Sequence, residues 1–128
     1  MPFYNIKTVT QRKGQGSNVN HVVIGELMKG GWVITQENKD PSPHFHPNEE
    51  QYMLILEGKI KMVLGDEMKI LESGDLIHIP RNTPHCIMTL GDSAKFFAVK
   101  SPSGNGKLDQ DFVLAENHEE MLSRMQDS

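Results

Sequence analysis

The sequence predicts an all-β sandwich or barrel with a short C-terminal helix laid against it. Three observations carry this. Short apolar runs recur roughly every eight to twelve residues, each closed by turn-forming residues, with no long helical pattern between them. Past residue 113 the period changes, and Leu114, His118, Met121, Leu122 and Met125 recur at helical spacing. The length, 128 residues with a single cysteine, fits one domain (1–128) held by its core rather than by disulfides.

Taken in order, residues 12–20 (RKGQGSNVN) are polar and glycine-rich and are expected to form a surface loop or flexible arm. A strand is expected over 21–28, a turn at Lys29-Gly30-Gly31, a strand over 32–36 and a turn-prone stretch over 37–43. The run 51–57 ends at Gly58, 60–64 at Gly65-Asp66, 68–71 at Ser73-Gly74 and 75–79 at Pro80. Strands over 87–90, closed by Gly91-Asp92, and 95–100, closed by SPSGNG, complete the set. Asn117 followed by Glu120 resembles a capping box and opens a helix expected over 117–126, with Arg124 suiting the dipole at its end. Met53, Met62, Met68 and Met88 are expected in the barrel core, with Trp32 and Tyr52 as packing residues. Of Phe96 and Phe97, alternation turns one inward and leaves the other to face a partner.

Charge and composition exclude several classes of function. A net charge of −4 argues against nucleic-acid or anionic-membrane surfaces, which need clustered Lys and Arg. The longest apolar stretch, 52–56, is far too short to span a bilayer, and the first twenty residues hold no apolar run of the secretion-signal type. A cytoplasmic location is the expectation. Cys86 has no nucleophile partner nearby in sequence and reads as a small buried residue.

The chemistry concentrates in PSPHFHPNEEQYMLILEGK, residues 41–59. In a strand His44 and His46 share a face while Phe45 points away, so the two imidazoles can converge on one ion. In the following strand Gln51, Met53 and Ile55 share one face, and Glu50, Tyr52 and Leu54 the other. His85 arrives later, in the turn after 75–79. Three neutral imidazoles and one oxygen donor make an ordinary site for a divalent transition metal ion: iron, nickel, manganese, copper or zinc.

These stretches resemble the cupin family. HFHPNEEQYMLILEG is similar to its first motif, G-x5-H-x-H-x3/4-E-x6-G. GDLIHIPRNTPH (74–85) is similar to the second, G-x5-P-x-G-x2-H, with Asn82 at the middle glycine, a residue that tolerates the left-handed conformation. The resemblance covers about residues 30–100 and implies a jelly-roll barrel with His44, His46 and His85 as metal ligands. Counting back from Gly58 places the fourth ligand at Gln51, while counting forward from His46 places it at Glu50; Gln51 is preferred. Some cupins, including small bacterial proteins that linearise unsaturated uronates, use three histidines and a glutamine. In that group an acid and an aromatic precede a Ser-Pro pair, where this sequence has Ala98 and Lys100.

The function implied is a metal-dependent enzyme acting on a small oxygenated substrate, a carboxylate or sugar acid, by isomerase or lyase chemistry. Glu50 or His78 is the expected proton carrier, although His78 reads more readily as a hydrogen-bonded wall residue; Glu49 and Glu50 can orient the histidines. Iron-dependent dioxygenation and non-catalytic binding of a small molecule are the alternatives. Lys100 reads either as an anion anchor at the cavity mouth or as a solvated lysine, and His21 and His118 read as surface residues. By analogy with small barrels of this kind, a homodimer is expected, using the arm at 12–20 and the outward Phe45, Tyr52 and Leu54.

Overall fold

The computed structural model describes residues 3–14, 18–36, 42–104 and 111–126. Along them run β1 (Gln11–Lys13), β2 (Val19–Ile24), β3 (Lys29–Gln36), β4 (His44–Phe45), β5 (Glu50–Leu64), β6 (Glu67–Leu71), β7 (Leu76–Ile79), β8 (His85–Ser101), β9 (Val113–Leu114) and α1 (His118–Gln126). No helix among the described residues is long and apolar enough to cross a membrane.

Two long antiparallel strands organise the barrel. β5 and β8 pair along their whole length, from Glu50 opposite Ser101 to Leu64 opposite His85. The outer edge of β5 carries β7 on its first half and β6 on its second. The outer edge of β8 carries β4 at His85 and β3 from Ser93 onward. β2 and β1 extend the sheet beyond β3, and β9 extends it beyond β4. Because both long strands bend midway, the sheet curls over itself into the jelly-roll barrel expected from the sequence.

The bend explains a difference from the sequence expectation. Gly58 and Gly91 do not end strands; the runs 51–57 and 60–64 are one strand, as are 87–90 and 95–100. Register shifts flank Glu57, and Gly58 has φ of +77°. A Cβ there would lie 2.5 Å from the Ser93 carbonyl oxygen, so glycine lets the bent strands pack closely where a side chain would part them. The glycine pair at 30–31 is likewise no turn. The hairpin turn lies one step earlier, where the Gly25 N–H donates to the Met28 carbonyl at 2.7 Å. Gly31 sits inside β3, where a Cβ would fall 2.1 Å from the His21 carbonyl oxygen.

Of the arm expected at 12–20, residues 12 and 13 lie in β1 and 19 and 20 open β2, the two strands pairing from Gln11–His21 to Lys13–Val19. Residues 15–17, and 37–41 of the expected turn-prone stretch, lie outside the described residues. The core follows strand alternation. Met53, Ile55, Ile60, Met62, Ile79 and Phe96 are buried together. Met68, expected in the core, is 40% exposed because it stands on the outer face of the edge strand β6. Phe96 is buried, while Phe97 turns outward and meets Trp32 edge-on with ring centres 5.9 Å apart.

The helix closes one side. Met121 and Met125 are buried against Val63, Cys86 and Ala115. Lys61 is buried, its ammonium donating to the Met125 carbonyl in the last helical turn. Arg124 donates to the carbonyls of Gly65 and Asp66, fixing the helix end to the β5–β6 turn.

Candidate metal centre

His44, His46 and His85 meet at the mouth of the barrel, with one ligating nitrogen from each within 4.8 Å of the others. β4 supplies His44, the turn after it supplies His46, and β8 begins at His85, which pairs directly with His44. Ring centres are 4.3 Å apart for His44 and His85, 4.9 Å for His44 and His46, and 5.2 Å for His46 and His85. The Asn82 turn holds the cluster from behind. Asn82 has φ of +61°, the left-handed conformation the sequence anticipated, and its N–H donates to the His46 carbonyl at 2.9 Å.

Each imidazole donates its Nδ1 proton to a backbone carbonyl: His44 to Ser42 at 2.7 Å, His85 to Thr83 at 2.9 Å and His46 to Asp111 at 3.1 Å. Nε2 of each ring is thereby left as the lone-pair nitrogen. Burial is the main reason the rings stay neutral. It lowers the pKa of His44 and His46 to about 4, with the Lys100 ammonium adding to the effect. His85 lies well below its ordinary value, through burial and then the neighbouring His44. Neutral imidazoles bind metal without first losing a proton, and the donor set suits a divalent transition metal ion.

Gln51 lies on the same inner face as Met53 and lines the same cavity as the three histidines. Its Oε1 is buried without a hydrogen-bond partner, an acceptor aimed at a site that would satisfy it. The cavity measures about 80 Å³, and at about 10–15 Å³ per water it has room for a handful of waters. Val33, Met53, Ile87 and Phe96 form an apolar wall, and Asn20 and Lys100 add polar groups.

The two residues expected to move protons are not brought to this site. Glu50 and His78 stand on the outer face of β5 and β7, 56% and 46% exposed, and bond to each other at 2.5 Å. Strand parity is the cause: Gln51 points inward, so Glu50 points outward, and His78 pairs with Tyr52 on that outer face. Glu49 behaves differently. It is buried, accepts from the Lys29 ammonium, and places Oε1 4.0 Å from His46 Nδ1.

Several residues here had no part in the sequence reading of the site. Lys29, assigned to a turn, is fully buried as the partner of Glu49; its signal was phase, since Lys29, Gly31, Val33 and Thr35 share one face of β3. Asn20, assigned to the arm, is buried with its Oδ1 unpartnered, in phase with the buried Val22. Asp111 and Phe112 reach the histidines from the far end of the chain, and no local pattern announces them.

Comparison with known proteins agrees with this geometry. The sequence profile of the family described as "Cupin domain" matches residues 31–100. An uncharacterized protein of Aquifex aeolicus is 25% identical over 99 residues, spanning 77% of this chain and 82% of the relative. Quercetin 2,3-dioxygenase of Bacillus subtilis is 40% identical over 42 residues, which are 33% of this chain but 12% of that enzyme. The structure of KdgF from Halomonas sp. superposes with a TM-score of 0.74 at 17% identity, covering 82% of this chain and 96% of KdgF, a likeness of fold. A family profile matching more than half the chain, a jelly-roll barrel and three converging histidines together make this protein a member of the cupin family.

Proposed function

We propose that this cupin is a metal-dependent enzyme for a small anionic, oxygen-bearing substrate. The observation that carries the reading is one small cavity lined by three neutral histidines, Gln51 and the buried Lys100. His44, His46 and His85 would hold a divalent ion through Nε2, with Gln51 Oε1 as the fourth donor. Held by four neutral donors, such an ion would supply Lewis acidity toward a carbonyl or carboxylate oxygen. Lys100 lines the same space, and its ammonium suits a carboxylate. Asn20 Oδ1 accepts from a substrate hydroxyl, and the apolar wall limits substrate size and access of water.

The wall bears on the reaction class. Among the described residues lining the cavity there is no carboxylate, and Lys100 is the one proton carrier besides the histidines. Isomerase or lyase chemistry therefore rests on Lys100, not on Glu50 or His78. Iron-dependent oxygenation asks less of the wall, and the short match to a quercetin dioxygenase favours testing it first. Oxygen uptake by iron-loaded protein with small hydroxy and oxo acids separates the two. Uptake that depends on substrate supports oxygenation, and substrate conversion without uptake supports isomerisation or elimination. No conversion under either condition leaves a binding protein.

A second copy of the chain is the proposed partner. The outer face of β2, β3 and β8 carries an apolar groove of about 390 Å³ lined by Tyr4, Val23, Met28, Trp32, Phe97 and Val99, on which a second copy would pack. A monomeric mass in light scattering at micromolar concentration refutes the dimer. A single buried thiol, Cys86, fits a reducing compartment such as the cytoplasm.

A further inference from the structure

The three histidines differ in where their Nδ1 acceptors come from. His44 and His85 each donate to a carbonyl two residues upstream, at Ser42 and Thr83, so those ring orientations are set within their own segments. The acceptor of His46 belongs to Asp111, 65 residues away in sequence. Asp111 is held there by its own side chain: its carboxylate accepts from the Asn48 backbone N–H at 2.5 Å and from Asn48 Nδ2 at 2.9 Å. The next residue, Phe112, stacks on His44 with ring centres 4.3 Å apart and planes 25° from parallel. β9 then pairs with β4, Leu114 opposite His44 and Val113 opposite Phe45.

We infer that residues 111–114 form a strap that completes the metal centre, with Asp111 and Phe112 as positioning residues for His46 and His44. The inference rests on the metal-binding reading above. Without the strap His46 has no described acceptor for its Nδ1 proton except Glu49 Oε1, 4.0 Å away and outside hydrogen-bond range. The ring is then free to exchange tautomers and to turn Nε2 away from the other two. Anchoring is redundant at the far end, because α1 follows directly and is fixed through Lys61 and Arg124. Loss of the Asp111 carboxylate is therefore felt at the site more than in the fold.

The test uses Asp111→Gly, which accepts the left-handed backbone at this position (φ +59°), removes the carboxylate clamp and also loosens the backbone that carries the acceptor carbonyl. Asn48→Ala, which removes the Nδ2 bond and keeps the backbone N–H bond to the Asp111 carboxylate, serves as a milder cut, with a smaller shift expected in the same direction, if Asp111→Gly folds poorly. Two quantities are measured in each protein: the tautomers of the histidines by imidazole nitrogen NMR without metal, and Zn²⁺ affinity by competition with a chromophoric chelator. Wild type is expected to show the Nδ1–H tautomer at His44, His46 and His85. Asp111→Gly should mix the tautomers of His46 while sparing His85, and should bind Zn²⁺ about 10- to 100-fold more weakly, the usual effect of losing a partner that orients a ligand. An unchanged His46 tautomer with Zn²⁺ affinity within about twofold of wild type overturns the strap. Failure of wild type to bind Zn²⁺ counts against the metal reading instead, and the tautomer of His46 then decides the strap by itself.

Discussion

Replacing Lys29 with methionine tests how the barrel tolerates charge beside its site. Lys29 is 0% exposed and Glu49 2%, so the pair is withdrawn from water and neither group has solvent to fall back on. Truncating one partner of such a pair typically costs about 3–5 kcal/mol, because the other charge stays buried alone. Lys29→Met should therefore lose about 3–4 kcal/mol at pH 7. With an unfolding entropy of about 2.1 cal/mol/K per residue, the pH 7 loss lowers Tm by about 11–15 °C. The double variant Lys29→Met/Glu49→Met removes both charges and should regain most of the loss. Thermal and urea unfolding of the metal-free proteins at pH 7 supply the numbers. A single variant that loses less than about 1 kcal/mol at pH 7, or a double variant less stable than the single, refutes the reasoning.

Two further outcomes follow from the cluster and the bend. Metal-free protein should lose stability as pH falls from 6.5 towards 4, because the unfolded chain takes up protons on His44 and His46 near 6.5 while the folded state resists until about 4. Each such histidine contributes about 1.4 kcal/mol per pH unit in that window, so urea titrations should show a shallower pH slope for His44→Phe than for wild type. Gly58→Ala should cost about 2–3 kcal/mol in chemical unfolding, from the left-handed φ and the clash with the Ser93 carbonyl, whereas alanine at the open turn glycine Gly74 meets no neighbouring atom and should cost less.

The barrel was legible because its cues are local. Strand alternation, turn residues and the spacing of His44, His46, Gly58, Pro80 and His85 each depend on a few neighbouring residues. Even the placement of Gln51 and Glu50 on opposite faces followed from alternation, and that pattern already argued against Glu50 as a base in the cavity. The misread glycines depend on distant chain: Gly31 is needed because β2 passes close to it, and Gly58 because β8 does. Lys29 could be placed inward by phase, but its partner Glu49 lies 20 residues on, across a turn whose geometry the sequence does not specify. Asp111 and Phe112 reach the histidines only because β9 pairs with β4, a contact without a periodic signature.

In the function proposed above, His44, His46, His85 and Gln51 together grip one divalent ion. X-ray absorption spectroscopy on protein reconstituted with one equivalent of Zn²⁺ tests it most directly, with a His85→Phe variant measured alongside. The expected spectrum carries the multiple-scattering signature of three imidazoles plus oxygen, reduced to two in the variant with a matching loss of affinity. Zn²⁺ that dialyses away from wild type, or a spectrum identical in the two proteins, contradicts it.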